Sequence, residues 1–459
     1  MEAKLSEIAI AVKGTLITAE KLNMNVSGIS TDSRNIQQGQ LFIPLEGNRF
    51  DGHDFIEDAC NKGAAAAIVA RHWWDKNSDW SRLPVIMVND TLKALQDIAC
   101  YHRKKFSIPV IAVTGSNGKT TTKDLIASVL SEKFSVVKSK GSFNNEVGLP
   151  LTLLEITKDT QAVVVEMGMR GMGQIEALVQ LAQPTMGVIT NVAPVHLELL
   201  GTLENIAKAK GELIRYIRAD GKVFLNGEDY WCRAMEKDTL AQSYFYGFSE
   251  NCDYRAMNIK LYFEKSIFYL EISGQIQEII FPIPGEHNIL NALAAAGVAY
   301  QLGFDLGAIA RGLEGCRLSE KRLQVLHGPT GIIVINDTYN ANPISTSASL
   351  DILSRAEGNR KIAVLGDMYE LGNFEEQGHR LVGENVVKSK IDMLVTVGKL
   401  ASIIAEGAKD AGMARDRIHV FYDKADVIEF LKNNVSKGDC LLVKGSRAAR
   451  MEDIVQGLI

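Results

Sequence analysis

Residues 111–125 read IAVTGSNGKTTTKDL. An ammonium group (Lys119), a hydroxyl (Thr120) and two glycines (Gly115, Gly118) crowd into one short turn, a combination that suits a phosphate chain. Glycines let the main chain approach an anion closely. The amides of Gly115, Ser116, Asn117, Gly118, Lys119 and Thr120 can therefore wrap one, with Thr114 and Thr121 at the flanks. Lys119 would neutralise the terminal phosphate oxygens, and the Thr120 hydroxyl would complete the shell of a magnesium ion. An apolar run precedes the turn and a helical run follows it, which is the strand, loop and helix order such a site requires. The stretch departs from GxxxxGK[ST] at its first position, where Val113 stands. The intact GKT keeps the reading of a nucleotide-phosphate site.

Two further side chains have the chemistry to join it. VVVEMGMRG ends an apolar run on Glu166. A carboxylate at the carboxyl end of a parallel strand lies where ligands bind in doubly wound sheets, though a solvated strand end looks the same. TNVAPVHLELLG delivers His196 just after another apolar run. Thr120, Glu166 and His196 together form an O,O,N set able to hold divalent cations against a triphosphate. Lys210, in LENIAKAKGEL, lies on a helical run near Glu204 and Glu212, where a solvated or paired side chain is the plainest reading.

These residues need a scaffold. At 459 residues the chain exceeds what one core organises, and about three domains are expected. The front mixes short strands and turns and ends in the amphipathic run DTLKALQDIACYHRKKF. From Ile108 onward, IPVIAV, AVVVEMG, MGVITN and GKVFLNG alternate with the helical runs GQIEALVQLA and LENIAKAKGELIRYI, which predicts parallel βαβ units. Residues 253–284 switch to period-two alternation, and a helix starts near His287. After Arg317 the βα rhythm restarts in GIIVIND, KIAVLGD, IDMLVTVG, RIHVFY and DCLLVKG. The fold expected is α/β in three domains. A small α/β domain covers 1–90, a central P-loop domain with a doubly wound parallel sheet and an antiparallel addition covers 91–316, and a Rossmann-like α/β domain covers 317–459.

Composition narrows the class. A net charge of −5 with no basic tract argues against a general nucleic-acid binder. No run approaches the roughly 20 apolar residues a membrane helix needs. The opening MEAKLSEIAIAVKG is interrupted by charges, unlike a signal peptide. The six cysteines form no CxxC pair, which points to reduced core thiols and a cytoplasmic protein.

TGSNGKTTTK, EMG, the His196 loop, GEHNILNALAAAG and NDTYNANP, in that order, resemble the ATP-dependent Mur ligases of peptidoglycan synthesis, along essentially the whole chain. The resemblance implies ATP and Mg2+ as the bound species. It implies that Asn291 of HNILN contacts the adenine, with Asn288 beside it; helix capping is the other role open to these asparagines. Arg322 and Asp337 match positions near the ATP phosphates and ribose, and Asn145, next to Asn144, falls at the nucleotide and acyl site. Lys210 matches a lysine that is carbamylated in related ligases; so modified, it would join the metal ligands. Lys119, Glu166, His196 and Lys210 make up the catalytic set so implied. TDSRNIQQGQLFIPLEGNRFDGHDF matches the part associated with a UDP-sugar, implying Ser30, Asp32, Ser33, Arg34 and Gly47 there. NDTYNANPISTSASL, LGDMYELG and VKGSRAARMED, with no DNPR-like signature in the last domain, resemble the branch that takes D-alanyl-D-alanine. Asn340, Ala341 and Asn342 would lie near that dipeptide, with Ser446 and Arg447, although a simple βα connection accounts equally for the last loop.

The activity so implied joins D-alanyl-D-alanine to UDP-N-acetylmuramoyl-tripeptide at the cost of ATP. A carboxylate is a poor electrophile; phosphorylation makes an acyl phosphate that an amine can attack. Positioning and electrostatics then suffice, with no serine or cysteine nucleophile. Closure of the domains, bringing the last one onto the nucleotide site, would keep water from the acyl phosphate. The chain is expected to act as a monomer on small-molecule substrates, without nucleic acid or membrane. Another amide ligase of the superfamily, reading a single amino acid or resembling folylpolyglutamate synthase, and a P-loop ATPase switch stay open as alternatives.

Overall fold

The structure is a computed structural model that describes residues 1–17, 21–47, 50–80, 82–195 and 197–459. The chain divides into two compact units. One comprises Met1–Ala112, Phe134–Gly168 and Ile175–Met186; the other comprises Val113–Lys133, Met169–Gln174 and Gly187–Ile459.

In the first unit, strands Thr15–Leu16, Val85–Val88, Ala66–Ala70, Leu41–Phe42 and Ile29–Ser30 lie in that order in one sheet, antiparallel only at Thr15–Leu16. Ala66–Ala70 and Val85–Val88 are buried at every residue. Such continuous apolar strands require cover on both faces. Phe42, Ala67, Val69 and Val85 pack with Ile36, Ile56 and Ala59, and with the partly buried Trp73, Trp74 and Trp80. The amphipathic run that follows is the helix Thr91–Arg103, opened by Asp90, whose carboxylate accepts from the Lys93 amide at 3.0 Å. Strands Val136–Lys138 and Ala162–Glu166 pair in parallel in this unit.

In the second unit, Lys222–Asn226, Gln242–Gly247 and Tyr254–Leu261 run parallel. Tyr254–Leu261, Ser266–Ile272 and Gln275–Phe281 then pair antiparallel, where the period-two alternation called for an addition. Ser266–Ile272 buries every second residue fully, as a strand with one covered face should. The helix Glu286–Gln301 is buried along most of its length because alanines and Gly297 keep it slim.

The carboxyl-terminal part of this unit forms a six-stranded sheet in the order Gln324–His327, Ile333–Asp337, Cys440–Lys444, Lys361–Gly366, Met393–Val397, Ile418–Phe421. All its neighbours are parallel except the edge strand Gln324–His327. Ile362, Val364, Leu441 and Val443 enter one core while Ala363, Leu365 and Leu442 enter another, so both faces are covered. On one of them, helices Glu375–Lys388 and Ala401–Asp410 cross at two glycines. A Cβ at Gly383 would strike the Ile404 carbonyl, and one at Gly407 would fall 2.5 Å from the Arg380 carbonyl. Gly383→Ala must push these helices apart at a cost of about 1–3 kcal/mol. Its thermal unfolding midpoint is expected to fall, whereas Gly171→Ala, which meets only Gln174 Nε2 at 3.9 Å, leaves it in place.

Candidate functional site

The strand Val110–Thr114 is fully buried and feeds the glycine turn. Gly115 has φ of 151° and Gly118 φ of 80°, and Gly118 caps the helix Lys119–Leu130. Neither position admits a side chain: a Cβ on Gly115 would overlap Thr190 Oγ1, and one on Gly118 would lie 2.6 Å from Asn291 Oδ1. The turn is clasped by the segment 190–193. Asn191 accepts from the Ser116 amide through its carbonyl (2.9 Å) and from the Asn117 amide through Oδ1 (2.9 Å). Thr190 Oγ1 and Asn191 Nδ2 donate to the Asn117 carbonyl at 2.5 and 3.1 Å, and Ser116 Oγ donates to Ala193 O at 3.1 Å. Two amides expected to face a phosphate are thus committed to Asn191. Lys119, Thr120 and the buried Thr121 form the first turn of the helix. Lys119 Nζ lies back along the turn, donating to the carbonyls of Gly115 (2.8 Å) and Ser116 (3.1 Å).

Asn291 and Asn288 sit in the helix Glu286–Gln301, past its cap at Gly285, so neither is a capping residue. Both are buried. Asn288 Nδ2 donates back to Pro284 O (2.7 Å), Asn291 Nδ2 to Asn288 Oδ1 (3.3 Å), and Thr122 Oγ1 to Asn291 Oδ1 (3.1 Å). The HNILN motif therefore braces the glycine turn from behind.

Lys210 falls inside the helix Leu203–Arg215 and is 2% exposed. Lys208, two residues earlier, is the solvated one, paired with Glu204 at 2.8 Å. Burial first, and then the charge of Lys119, pull the Lys210 amine well below the usual lysine range. In the first unit, Glu166 ends its strand with 2% exposure and accepts from Asn144 Nδ2 at 2.8 Å. Asn145 instead turns outward and takes the Gly148 amide at 2.9 Å, so Asn144 is the member of the pair that meets Glu166. His196 lies outside the described residues.

From the last third of the chain, Arg322 Nη2 donates to Thr120 Oγ1 (2.8 Å) and Asn342 Nδ2 to Asn117 Oδ1 (2.6 Å). Asp337 is buried and takes Lys444 Nζ, Ser349 Oγ (2.7 Å) and the Leu323 amide (3.2 Å). Burial alone would raise its pKa, but Lys444 and Ser349 hold the carboxyl below its usual range. Asn340, Ser446 and Arg447 meet in one loop cluster. Asn340 Oδ1 accepts from the Arg447 amide (3.3 Å), Ser446 Oγ donates to Ala341 O (3.3 Å), and the Arg447 guanidinium pairs with Glu452 (2.7 Å).

In the first unit, Asp32 grips Arg34 bidentately at 2.9 Å and takes its amide, and Ser30 Oγ accepts the Asp32 amide (3.1 Å). The hydrogen bond from Arg34 brings the Asp32 carboxyl down to about 2. Ser33 is buried and its carbonyl takes Lys62 Nζ (3.2 Å), while the Gly47 amide donates to the Phe50 carbonyl (2.9 Å). His53, unmarked in the sequence, is a buried ring fixed between Asp51 (2.6 Å) and the Ala70 amide (3.0 Å) and stacked on Trp73.

The glycine turn fits an acceptor-rich ligand. Two buried donors beside it, Asn117 Nδ2 and Arg322 Nε, have no hydrogen-bond partner. The Thr120 hydroxyl and Glu166 carboxylate are hard oxygens of the kind magnesium takes. Among the described residues no three His, Cys, Asp or Glu cluster as a metal-holding group, and no helix is long and apolar enough to cross a membrane.

These features define a phosphate-loop α/β protein with a second α/β sheet at its carboxyl end. Three family models match it: "Mur ligase family, catalytic domain" over 25–103, "Mur ligase middle domain" over 113–299 and "Mur ligase, glutamate ligase domain" over 321–447. The chain is 40% identical over 458 residues to UDP-N-acetylmuramoyl-tripeptide–D-alanyl-D-alanine ligase of Bacillus subtilis (strain 168), spanning 99% of this chain and 98% of that one. It is similar to the crystal structure of MurF from Acinetobacter baumannii, with a TM-score of 0.91 and 30% identity over 100% of this chain and 99% of that one. MurF ligase of Thermotoga maritima in complex with ADP gives a TM-score of 0.82 and 29% identity over 94% and 96% of the two chains. The chain belongs to the Mur ligase family.

Gly115→Ala is expected to displace Thr190 and loosen the Asn117 carbonyl. Overpacking of about 1–3 kcal/mol at this point should weaken ADP binding roughly tenfold or more in titration calorimetry, with native circular dichroism retained.

Proposed function

We propose that the chain is an ATP-dependent ligase that joins D-alanyl-D-alanine to UDP-N-acetylmuramoyl-tripeptide, giving the pentapeptide precursor of peptidoglycan, ADP and phosphate. The observation that carries this reading is the glycine turn itself, with Lys119 laid along it and met by Arg322 and Asn342 from the last third of the chain. The names of the relatives support the choice of substrates.

In this reading residues 1–90 hold the UDP end through Ser30, Asp32, Ser33, Arg34 and Gly47. Residues 91–316 hold ATP through Thr114 to Thr121, Asn145 and the Asn288 and Asn291 brace. Residues 317–459 bring Arg322 and Asp337 toward the nucleotide and present the dipeptide near Asn340, Asn342, Ser446 and Arg447. Lys119 and Arg322 stabilise charge on the phosphoryl group as it passes to the peptide carboxylate, and the dipeptide amine then attacks the acyl phosphate carbonyl, releasing phosphate. Thr120, Glu166, His196 and a carbamylated Lys210 would hold magnesium, which when bound would neutralise phosphate charge. Lys210 suits that modification because only a neutral amine adds CO2; the addition forms an N–C bond and releases one proton. The protein works as a cytoplasmic monomer.

A coupled ADP-release assay with UDP-N-acetylmuramoyl-tripeptide is expected to run only when D-alanyl-D-alanine is added. Equal release without the dipeptide would make the chain an ATPase and overturn the reading. Lys119→Ala should remove turnover by orders of magnitude and leave UDP-substrate binding intact; equal loss of both would sink the division of labour between domains. With isotopically labelled bicarbonate, the wild type should show a carbamate carbon resonance that Lys210→Arg lacks. The same spectrum from both would free Lys210 from the metal set.

A further inference from the structure

Arg322 is held in an unusual way. Its neighbours Lys321 and Leu323 have φ of 64° and 47°, left-handed backbone that residues with side chains avoid. Three contacts maintain this double bend. The Tyr339 amide donates to Lys321 O (3.1 Å), the Leu323 amide to Asp337 Oδ1 (3.2 Å), and Lys321 Nζ to Glu452 Oε1 (3.0 Å). The bend aims Arg322 at the first turn of the P-loop helix, where Nη2 reaches Thr120. The guanidinium carbon then lies 4.0 Å from the centre of the Tyr339 ring.

Among the described residues Arg322 forms no ion pair at contact distance, and its buried Nε has no partner. The Asp337 carboxylate, which is committed to Lys444 and Ser349, acts on it only at longer range. An aromatic face attracts the cation and fixes its plane without neutralising its formal charge or taking up its N–H donors. A carboxylate in that place would neutralise the charge and compete with phosphate for the same N–H groups. We propose that Tyr339 is a positioning residue whose ring orients Arg322 beside Thr120 while keeping its charge available to the nucleotide. This rests on the reading of Arg322 as a phosphate contact.

The test is ADP binding by titration calorimetry on the full-length protein, with KM for ATP and kcat measured alongside. Tyr339→Leu is expected to raise the ADP dissociation constant about 3–30-fold, the span of a cation–π contact, with affinity for the UDP substrate unchanged. Tyr339→Phe, which restores the ring, should return ADP affinity to within about twofold of wild type. In the double variant with Arg322→Ala, loss of the ring should add nothing to loss of the arginine. Full additivity, or failure of Phe to rescue, overturns the positioning role. If Arg322→Ala alone leaves ADP affinity unchanged, the phosphate reading of Arg322 falls instead. Tyr339→Met, unbranched and apolar, replaces the leucine variant if melting curves show that one misfolded.

Discussion

The site depends on two side chains that are missing. Where Gly115 and Gly118 have no Cβ, Thr190 and Asn291 press in, and each then bonds to the segment it touches. The turn is therefore fixed from two directions by residues distant in sequence. Glycine serves twice here: it makes room for the clasp, and at Gly118 it accepts the left-handed φ of 80° that starts the helix. One consequence is the placing of Lys119. A cation at a helix N-terminus is disfavoured by the macrodipole, and here the carbonyls of Gly115 and Ser116 offset that by receiving the ammonium. A phosphate arriving at the same helix end would bring the opposite charge, which both the dipole and the ammonium favour.

Buried charge is handled in two opposite ways. Lys210 is enclosed next to another cation, so its amine is driven toward the neutral form. Asp337 is also buried but meets Lys444, Ser349 and an amide, so its carboxyl stays ionised. Removing one partner of such a buried pair strands the other, at about 3–5 kcal/mol. Asp337 also takes the Leu323 amide, which ties this ion pair to the bend that presents Arg322.

The sequence was most legible where chemistry and backbone demands coincide. Glycine, lysine and threonine in one turn have few other uses together. The βα rhythm of the last third is carried chiefly by the inner strands Ile333–Asp337, Cys440–Lys444, Lys361–Gly366 and Met393–Val397, which are buried on both faces. Thr190 and Asn191 were illegible, because polar residues after a strand look like any turn until the segment they clasp is known. Lys208 and Lys210 look alike in KAK, yet a rotation of about 200° between them puts one in solvent and one in the interior. Asn144 and Asn145 differ for a similar reason: Asn145 is taken by the Gly148 amide, which leaves Asn144 to face Glu166. Strands Gln242–Gly247 and Gln324–His327 are mixed in polarity and only half covered, so no periodicity announced them.

The connection into the last sheet gives the glycine turn a reach beyond phosphate binding. Thr120 and Asp124 are four residues apart on one helix and so share a face. Asp124 Oδ2 accepts from the Ser319 hydroxyl (2.6 Å) and amide (3.1 Å), and Thr120 accepts from Arg322. The connecting segment is thus laid along that face and fastened at both ends before it enters the strand Gln324–His327. Its bond to Asp124 is charge-assisted and largely buried, whereas its bond to Thr120 ends on the hydroxyl that magnesium would also use. The two fastenings differ in kind: one is a fixed point of the fold, and the other lies where the ligand itself acts. Any change at the first turn of this helix is therefore felt directly by the segment that carries the last sheet.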